Sequence, residues 1–260
     1  MNLSQMRLDL FLVEKKGVNS RTKAQELIKA GQVVLIQAAS EQVLLKSSFM
    51  VTDSLFEKIQ IKPNSLQNYV SRGGHKLKFA IEKTGVVTDG MNVLDVGQST
   101  GGFTDYLRQN KAKKIVGIDV GHGQLDQSLK SVSNMRSFEG MHVKDLINNV
   151  EFMQQVPRGG FDLIVMDISF ISITKVIFYL KDLIKIKGEY LFLVKPQFEL
   201  TAKDLDKNGI VKDVKKYLQV QACVEEQARQ HFGSVLKYFP STLLGKDGNQ
   251  EFFIYGQKTI

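Results

Sequence analysis

Apolar positions along the chain keep one period at the start and another after residue 90. Between residues 6 and 30 they recur at helical spacing. Leu8, Phe11 and Leu12 predict the inner face of one short helix, and Ala24, Leu27 and Ile28 that of a second. Gly17-Val18-Asn19 predicts the turn between them, with Ser20 as the N-cap of the second helix. The two apolar stripes should face one another, which leaves Arg7, Lys15, Lys16, Arg21, Lys23 and Lys29 outside the seam. Gly31 ends the second helix, and residues 32–36 then have β-branched strand character. Further short strands are expected near residues 42–45 and 58–61, before Lys62-Pro63-Asn64-Ser65 breaks the pattern as a linker. From Gly90 onward, apolar strands at 92–96, 114–119, 161–167 and 189–194 alternate with helical spacing at 102–109, 124–130 and 174–185. Such alternation predicts an α/β fold built on a parallel, doubly wound sheet.

Composition narrows the setting. The 260 residues, 43% of them hydrophobic, suffice for one sizeable core and a small additional domain. A single cysteine, Cys223, gives no disulfide framework, and the chain shows neither a secretory leader nor a long uncharged apolar run, so a cytoplasmic location is expected. Lys and Arg exceed Asp and Glu by 35 to 27, for a net charge of +8. That balance favours a phosphate-rich partner but is equally that of an ordinary basic surface.

The N-terminal arrangement, Arg7-Leu8-Asp9 through Ser20-Arg21, Lys23-Ala24-Gln25, Leu27-Ile28 and Ala30-Gly31, resembles the small α+β RNA-binding fold named after ribosomal protein S4. The resemblance covers the first quarter of the chain and implies that Arg7, Arg21 and Lys23 contact RNA phosphates. That family usually places an Asn-Gly turn after the strand, where this chain has Gln37-Ala38-Ala39. The plain alternative is a helical hairpin with solvated Lys and Arg.

Val93-Leu94-Asp95-Val96 runs into Gly97-Gln98-Ser99-Thr100-Gly101-Gly102-Phe103-Thr104, an apolar strand entering a glycine-rich turn and then a helix. Ligands of doubly wound sheets bind beyond the carboxyl ends of the strands, where glycines let the backbone come close. The glycines stand at 97, 101 and 102, which is not the Gly-x-Gly-x-x-Gly of dinucleotide sites. With Asp95 before it, the segment resembles the cofactor loop of S-adenosylmethionine methyltransferases, and Asp95, Gly97, Ser99, Thr100, Gly101, Gly102 and Phe103 become candidate cofactor residues. Asp119 ends the next strand, where a carboxylate can accept both ribose hydroxyls of a nucleoside. Asp145 is expected near the end of the third strand, within reach of the adenine.

Three acceptor classes make different demands. Pyrimidine C5 methylation needs a cysteine nucleophile, and Cys223 sits in a helical pattern over residues 219–230. Exocyclic amine methylation typically shows an Asp/Asn-Pro-Pro-aromatic turn, whereas the fourth strand here ends Asp167-Ile168-Ser169-Phe170. Methylation of a ribose hydroxyl needs a base and supporting charges. Lys76, Asp167, Lys195 and Glu251 form a candidate set, and Lys195 directly follows the apolar run Tyr190-Leu191-Phe192-Leu193-Val194, where an ammonium requires accompanying carboxylates.

The phrases Tyr69-Val70-Ser71-Arg72-Gly73-Gly74-His75-Lys76-Leu77, the loop from Leu94 to Asp105, Val120-Gly121, Gly123-Gln124-Leu125, Asp167 with Ser169-Phe170-Ile171-Ser172, Val194-Lys195-Pro196-Gln197-Phe198-Glu199 and Gly248-Asn249 with Glu251-Phe252 are together similar to the TlyA family, often labelled hemolysin A. They cover nearly the whole chain. The TlyA family in turn resembles the FtsJ-like ribose methyltransferases, whose Lys-Asp-Lys-Glu tetrad matches Lys76, Asp167, Lys195 and Glu251. The resemblance implies a cytidine 2′-O-methyltransferase of ribosomal RNA, with S-adenosylmethionine as cofactor, ribosomal RNA or ribosomal subunits as partner, no metal, and Arg72 as a further RNA contact. It also implies an S4-like domain over residues 1–62, a linker over 63–72 and an FtsJ-like domain with a Rossmann-like sheet over 73–260. Met141-His142 replaces the family's Thr-Asn pair, and Asp206-Lys207-Asn208-Gly209 replaces its Gly-Lys-Gly-Gly loop. Two competing readings are an RNA-binding module with a silent methyltransferase fold and a membrane-active hemolysin. Intact loop and tetrad residues oppose the first, and Gly, Asp and Lys interrupting every apolar run oppose the second.

Overall fold

The computed structural model describes residues 5–260 except 19, 30, 38–39, 63–68 and 246. The chain divides into two compact units, Met1–Asn68 and Tyr69–Ile260.

In the first unit, β1 (Gln5–Arg7) leads into α1 (Leu8–Lys16), followed by α2 (Arg21–Lys29), β2 (Val33–Gln37), β3 (Ser40–Val43), β4 (Met50–Thr52) and β5 (Ile59–Ile61). Gly17 closes α1 in the left-handed region (φ 72°) and donates its N–H to Leu12 O, and Ser20 Oγ accepts the Lys23 N–H at 3.1 Å. Leu8, Phe11, Leu12, Ala24, Leu27 and Ile28 all join one buried cluster with Val33, Leu35, Val51 and Ile59, so the facing apolar stripes form as expected. The central strand is β2, with β3 and β5 antiparallel on its two sides. The strand expected near 42–45 starts two residues earlier, and the three-residue pair β1 with β4 was not anticipated, being too short to carry a period. Asn19 of the expected turn, Ala38-Ala39 of the expected hairpin and residues 63–65 of the expected linker lie outside the described residues.

The second unit contains α3 (Arg72–Thr84), β6 (Asn92–Val96), α4 (Gly102–Gln109), β7 (Lys114–Asp119), α5 (Gln127–Lys130), β8 (Met135–Glu139), α6 (Val150–Met153), β9 (Phe161–Met166), β10 (Ile184–Val194), α7 (Pro196–Glu199), α8 (Lys216–Phe232), β11 (Gly233–Pro240) and β12 (Phe252–Lys258). Its seven strands lie in the order β11-β12-β10-β9-β6-β7-β8; β6 to β10 pair in parallel, while β12 is antiparallel to β10 and to β11. Strand residues alternate between two cores. Leu94, Val96, Ile164 and Met166 pack with Val220, Val224 and Phe232 of α8, and Val93, Leu163, Val165 and Leu193 pack with Leu77 of α3 and Leu107 of α4. This is the doubly wound sheet the alternation predicts. Of the segment 63–72 expected to connect the domains, residues 69–72 pack here: Tyr69 meets the His75 ring at 4.8 Å, and Val70 N–H donates to Asp105 Oδ2 at 3.0 Å.

One expected helix is replaced. Residues 174–185 form two 3₁₀ turns, Ile173–Lys175 and Ile177–Leu180, and then enter β10 at Ile184, which pairs with Phe161. Helical spacing and a buried strand start are hard to separate in so short an apolar run. Asp145 is also misplaced by sequence: β8 ends at Glu139, and Asp145 sits exposed in a 3₁₀ helix at Val143–Asn148.

Candidate functional site

The chain goes from β6 outward to β7 and β8, then returns to β9 on the other side of β6. Strand order therefore reverses between β6 and β9, and their carboxyl ends open the crevice in which such sheets bind ligands. Gly97 lies there with φ 82°, and a Cβ on it would come 2.5 Å from the Asp167 carbonyl oxygen, so only glycine lets the loop after β6 pass the end of β9. A Cβ on Gly102 would lie 2.2 Å from Ser71 Oγ and 2.9 Å from Gly74 N; the bare glycine brings the N-terminus of α4 against that of α3, the helix bearing Lys76.

The candidate cofactor residues divide by environment. Asp95 is fully buried, its Oδ2 accepting from Thr104 Oγ1 at 2.7 Å while its Oδ1 has no hydrogen-bond partner. Burial pushes its carboxyl up to about 7, the nearby charges of Asp167 and Asp119 adding to the rise and Thr104 opposing it. Asp119 is half-buried, its oxygens accepting the N–H groups of Ser99 and Gly121, each at 2.7 Å, with lone pairs left for hydroxyl donors. Ser99 holds a strained φ of 48°, Thr100 is exposed, and Gly101 caps α4. Phe103 is buried in the core against α3, so only its backbone can face a ligand. Sequence reasoning passed over Gln98, which is buried and binds Thr104 Oγ1 at 2.8 Å and Ser137 Oγ at 2.5 Å. Its polar side chain amid glycines was the available signal.

The four tetrad candidates form two ion pairs. Lys195, directly after β10, lies 2.6 Å from Asp167 Oδ1 and donates to Ser169 Oγ at 2.9 Å. Lys76 on α3 pairs closely with Glu251, both nearly buried. Val194 faces Phe252 across the β10–β12 ladder, so one step outward along the two strands stand Lys195 and Glu251. That register brings the pairs to the same end of the sheet, at the carboxyl ends of β9 and β10.

Two further features were not foreseen. Phe170 is 91% exposed, holds φ 68° and meets the Phe198 ring at 5.3 Å; a bulky residue in that region is strained. Glu199 accepts the Ile173 N–H at 2.8 Å and the Ser172 hydroxyl at 2.5 Å, tying the loop after β9 to α7. Burial raises its carboxyl above the usual range.

The candidate RNA contacts are engaged structurally. Arg7 and Arg21 both bind the buried Asp9, at 3.0 and 2.9 Å, while remaining about half exposed. The Arg7 hydrogen bonds, with those of Gln25 and Arg21, hold the Asp9 carboxyl well below the usual carboxylate range against its burial. Lys23 is exposed beside Glu26 at 3.4 Å, and Arg72 donates to Leu244 O at 2.9 Å.

Residues 69–258 match the model of the FtsJ-like methyltransferase family. The chain belongs to that family, in its TlyA group. Residues 6–35 match the S4 domain. The chain is 34% identical over 268 residues to the 23S rRNA (cytidine-2′-O)-methyltransferase TlyA of Campylobacter jejuni, covering 96% of this chain and 98% of the relative. It is 38% identical over 211 residues to Hemolysin A of Brachyspira hyodysenteriae, covering 80% and 81%. A solved structure from Streptococcus thermophilus that carries a hemolysin label superposes with a TM-score of 0.71 at 29% identity, covering 99% of this chain and 90% of that one. The cofactor of this FtsJ-like fold is S-adenosylmethionine. The crevice fits it: an unpartnered buried carboxylate oxygen at Asp95, a strand end that tolerates no Cβ at Gly97, and a carboxylate at Asp119 with acceptor capacity in hand. No helix among the described residues is long and apolar enough to cross a membrane.

Proposed function

We propose that this chain transfers a methyl group from S-adenosylmethionine to the ribose 2′-hydroxyl of a cytidine in ribosomal RNA, in the cytoplasm where ribosomes assemble. The observation that carries the reading is the pair of lysine–carboxylate contacts, Lys195 with Asp167 and Lys76 with Glu251, at the end of the sheet where the cofactor loop also lies. The TlyA relative's name supports the nucleotide and the RNA.

In this reading Asp119 accepts the ribose hydroxyls of the cofactor, the loop from Gly97 to Phe103 lies along it, and Asp95 offers its free oxygen to a cationic group. Asp145 reaches the adenine by way of its exposed position. S-adenosylmethionine supplies an electrophilic methyl on a sulfonium. Lys195 accepts the 2′-hydroxyl proton, directly or as the hydroxyl's closest hydrogen-bond partner. Asp167 and Ser169 aim its Nζ, while Lys76 and Glu251 hold the far side of the target. Residues 1–62 supply RNA affinity through Arg7, Arg21 and Lys23, with Arg72 adding to it.

Lys195→Arg is the test. Arginine keeps the charge and can still pair with Asp167 but cannot give up its proton. Single-turnover methyl transfer should fall by about 10²–10⁴-fold, with cofactor and RNA affinities nearly unchanged. Near-parental turnover would remove the base role and leave Lys195 as a positional charge.

A further inference from the structure

Glu251 stands at the end of the loop 241–251, which joins β11 to β12 and whose described residues form no helix or strand. Ser241 N–H donates to Glu251 O, and Gly245 N–H to Asn249 O, each at 2.8 Å, closing the loop on itself. On one side the loop meets α3, through Arg72 to Leu244 O and Lys76 to Glu251. Asn249 faces elsewhere. It is 1% exposed, a placement that costs free energy unless its amide finds partners. Its Oδ1 accepts the Val211 N–H at 3.1 Å and its Nδ2 donates to Gly209 O at 2.9 Å.

Those partners form the base of a hairpin after α7. Leu205 bridges Val211, Asp206 N–H donates to Ile210 O at 2.8 Å, and Asp206 Oδ1 accepts the N–H groups of Asn208 and Ile210. The hairpin is thus closed by its own hydrogen bonds, and it carries Lys207 exposed at its tip, with Lys203 and Lys212 exposed beside it. A hairpin bearing lysines near a site read as acting on RNA will feel phosphate, and the two amide hydrogen bonds of Asn249 join it to the loop two residues before Glu251.

We propose that Asn249 is a positioning residue: it locks the lysine-bearing hairpin to the loop of Glu251, so that the hairpin and the Glu251–Lys76 pair hold their places as one body. The inference rests on the reading of Glu251 as part of the methyl-transfer machinery. Asn249 is buried with its amide spent on Val211 and Gly209, and its effect passes through Glu251.

The test is a double-mutant cycle on the full chain, with ribosomal RNA as substrate. Asn249→Ala should lower single-turnover methyl transfer at saturating RNA by about 10- to 100-fold, the range expected of small misplacements at a reacting centre, while calorimetric S-adenosylmethionine affinity stays within about twofold. In a Glu251→Gln background the same substitution should change the rate by less than about twofold, because the group it positions is already disabled. Trypsin should cut after Lys207 and Lys212 faster in Asn249→Ala than in the parent. Where alanine prevents folding, Asn249→Ser, which keeps a short uncharged polar group able to serve one of the two partners, should give the same pattern at smaller amplitude. Multiplicative rate effects in the cycle, or unchanged trypsin cleavage, overturn the proposal. Faster cleavage together with an inactive parent on RNA would instead sink the assigned reaction and leave the clamp standing.

Discussion

Asp95→Asn probes the buried end of the crevice with a magnitude that follows from the structure. The parent carboxyl has one oxygen on Thr104 and one with no partner, and burial lifts it from 3.8 to about 7. An acid raised in the folded state holds its proton longer there than in the unfolded chain. Its contribution to stability is therefore complete below about pH 4 and lost as pH rises through about 7. At about 1.4 kcal/mol for each pH unit across that window, the ionised carboxylate costs at most about 4 kcal/mol. Asparagine has no charge to desolvate, so the stability difference should move in favour of Asp95→Asn between pH 5 and pH 8. About 2–3 kcal/mol of that cost falls between pH 5 and pH 8, which for a domain of about 200 residues corresponds to roughly 5–10 °C in melting temperature. Thermal unfolding of the two proteins, followed by circular dichroism at both pH values, reads it. Saturating S-adenosylmethionine should shrink the gap by giving the carboxylate a cationic partner, with proton release visible when calorimetry is repeated in buffers of different ionisation enthalpy. Parallel melting curves for parent and variant across this range would refute the argument.

Asp119→Ala should weaken S-adenosylmethionine binding by about 10-fold or more, since it removes charge-assisted hydrogen bonds together with the anchor for the Ser99 and Gly121 amides; unchanged calorimetric affinity would remove Asp119 from the site. Lys23→Ala should lower RNA affinity and reduce its salt slope by about one, read by filter binding over a salt series, because among the described residues Lys23 is exposed and pairs only with an exposed Glu26. Arg21→Ala should also lower the melting temperature, because it strips a partner from buried Asp9, and the loss should be largest near neutral pH and fade as acid protonates that carboxylate. Phe170→Ala should slow methyl transfer on RNA by about 10-fold with little change in melting temperature, the pattern of a strained, exposed ring kept for stacking on a nucleobase; an unchanged rate would leave the strain without that use.

Much of this architecture was legible in the sequence because its causes are local. The strands Asn92–Val96 and Lys114–Asp119 and the helix Gly102–Gln109 begin and end where the periodicity and glycines say. The facing stripes of α1 and α2 follow from spacing alone, and Lys195 announced itself as a charge at the end of a buried strand. What the tertiary structure decided was who meets whom. Lys76 finds Glu251 across 175 residues because β12 turns back antiparallel beside β10, a pairing no local period encodes. Arg7 and Arg21 converge on Asp9, Asn249 reaches a hairpin some forty residues earlier, and residues 174–185 give up helical spacing where Ile184 must pair with Phe161. Hydrophobic period marks which side of an element is buried, and it is blind to the element on the other side of the core; that choice belongs to the chain's long-range return, where burial of apolar area and pairing of backbone and charged groups are satisfied together.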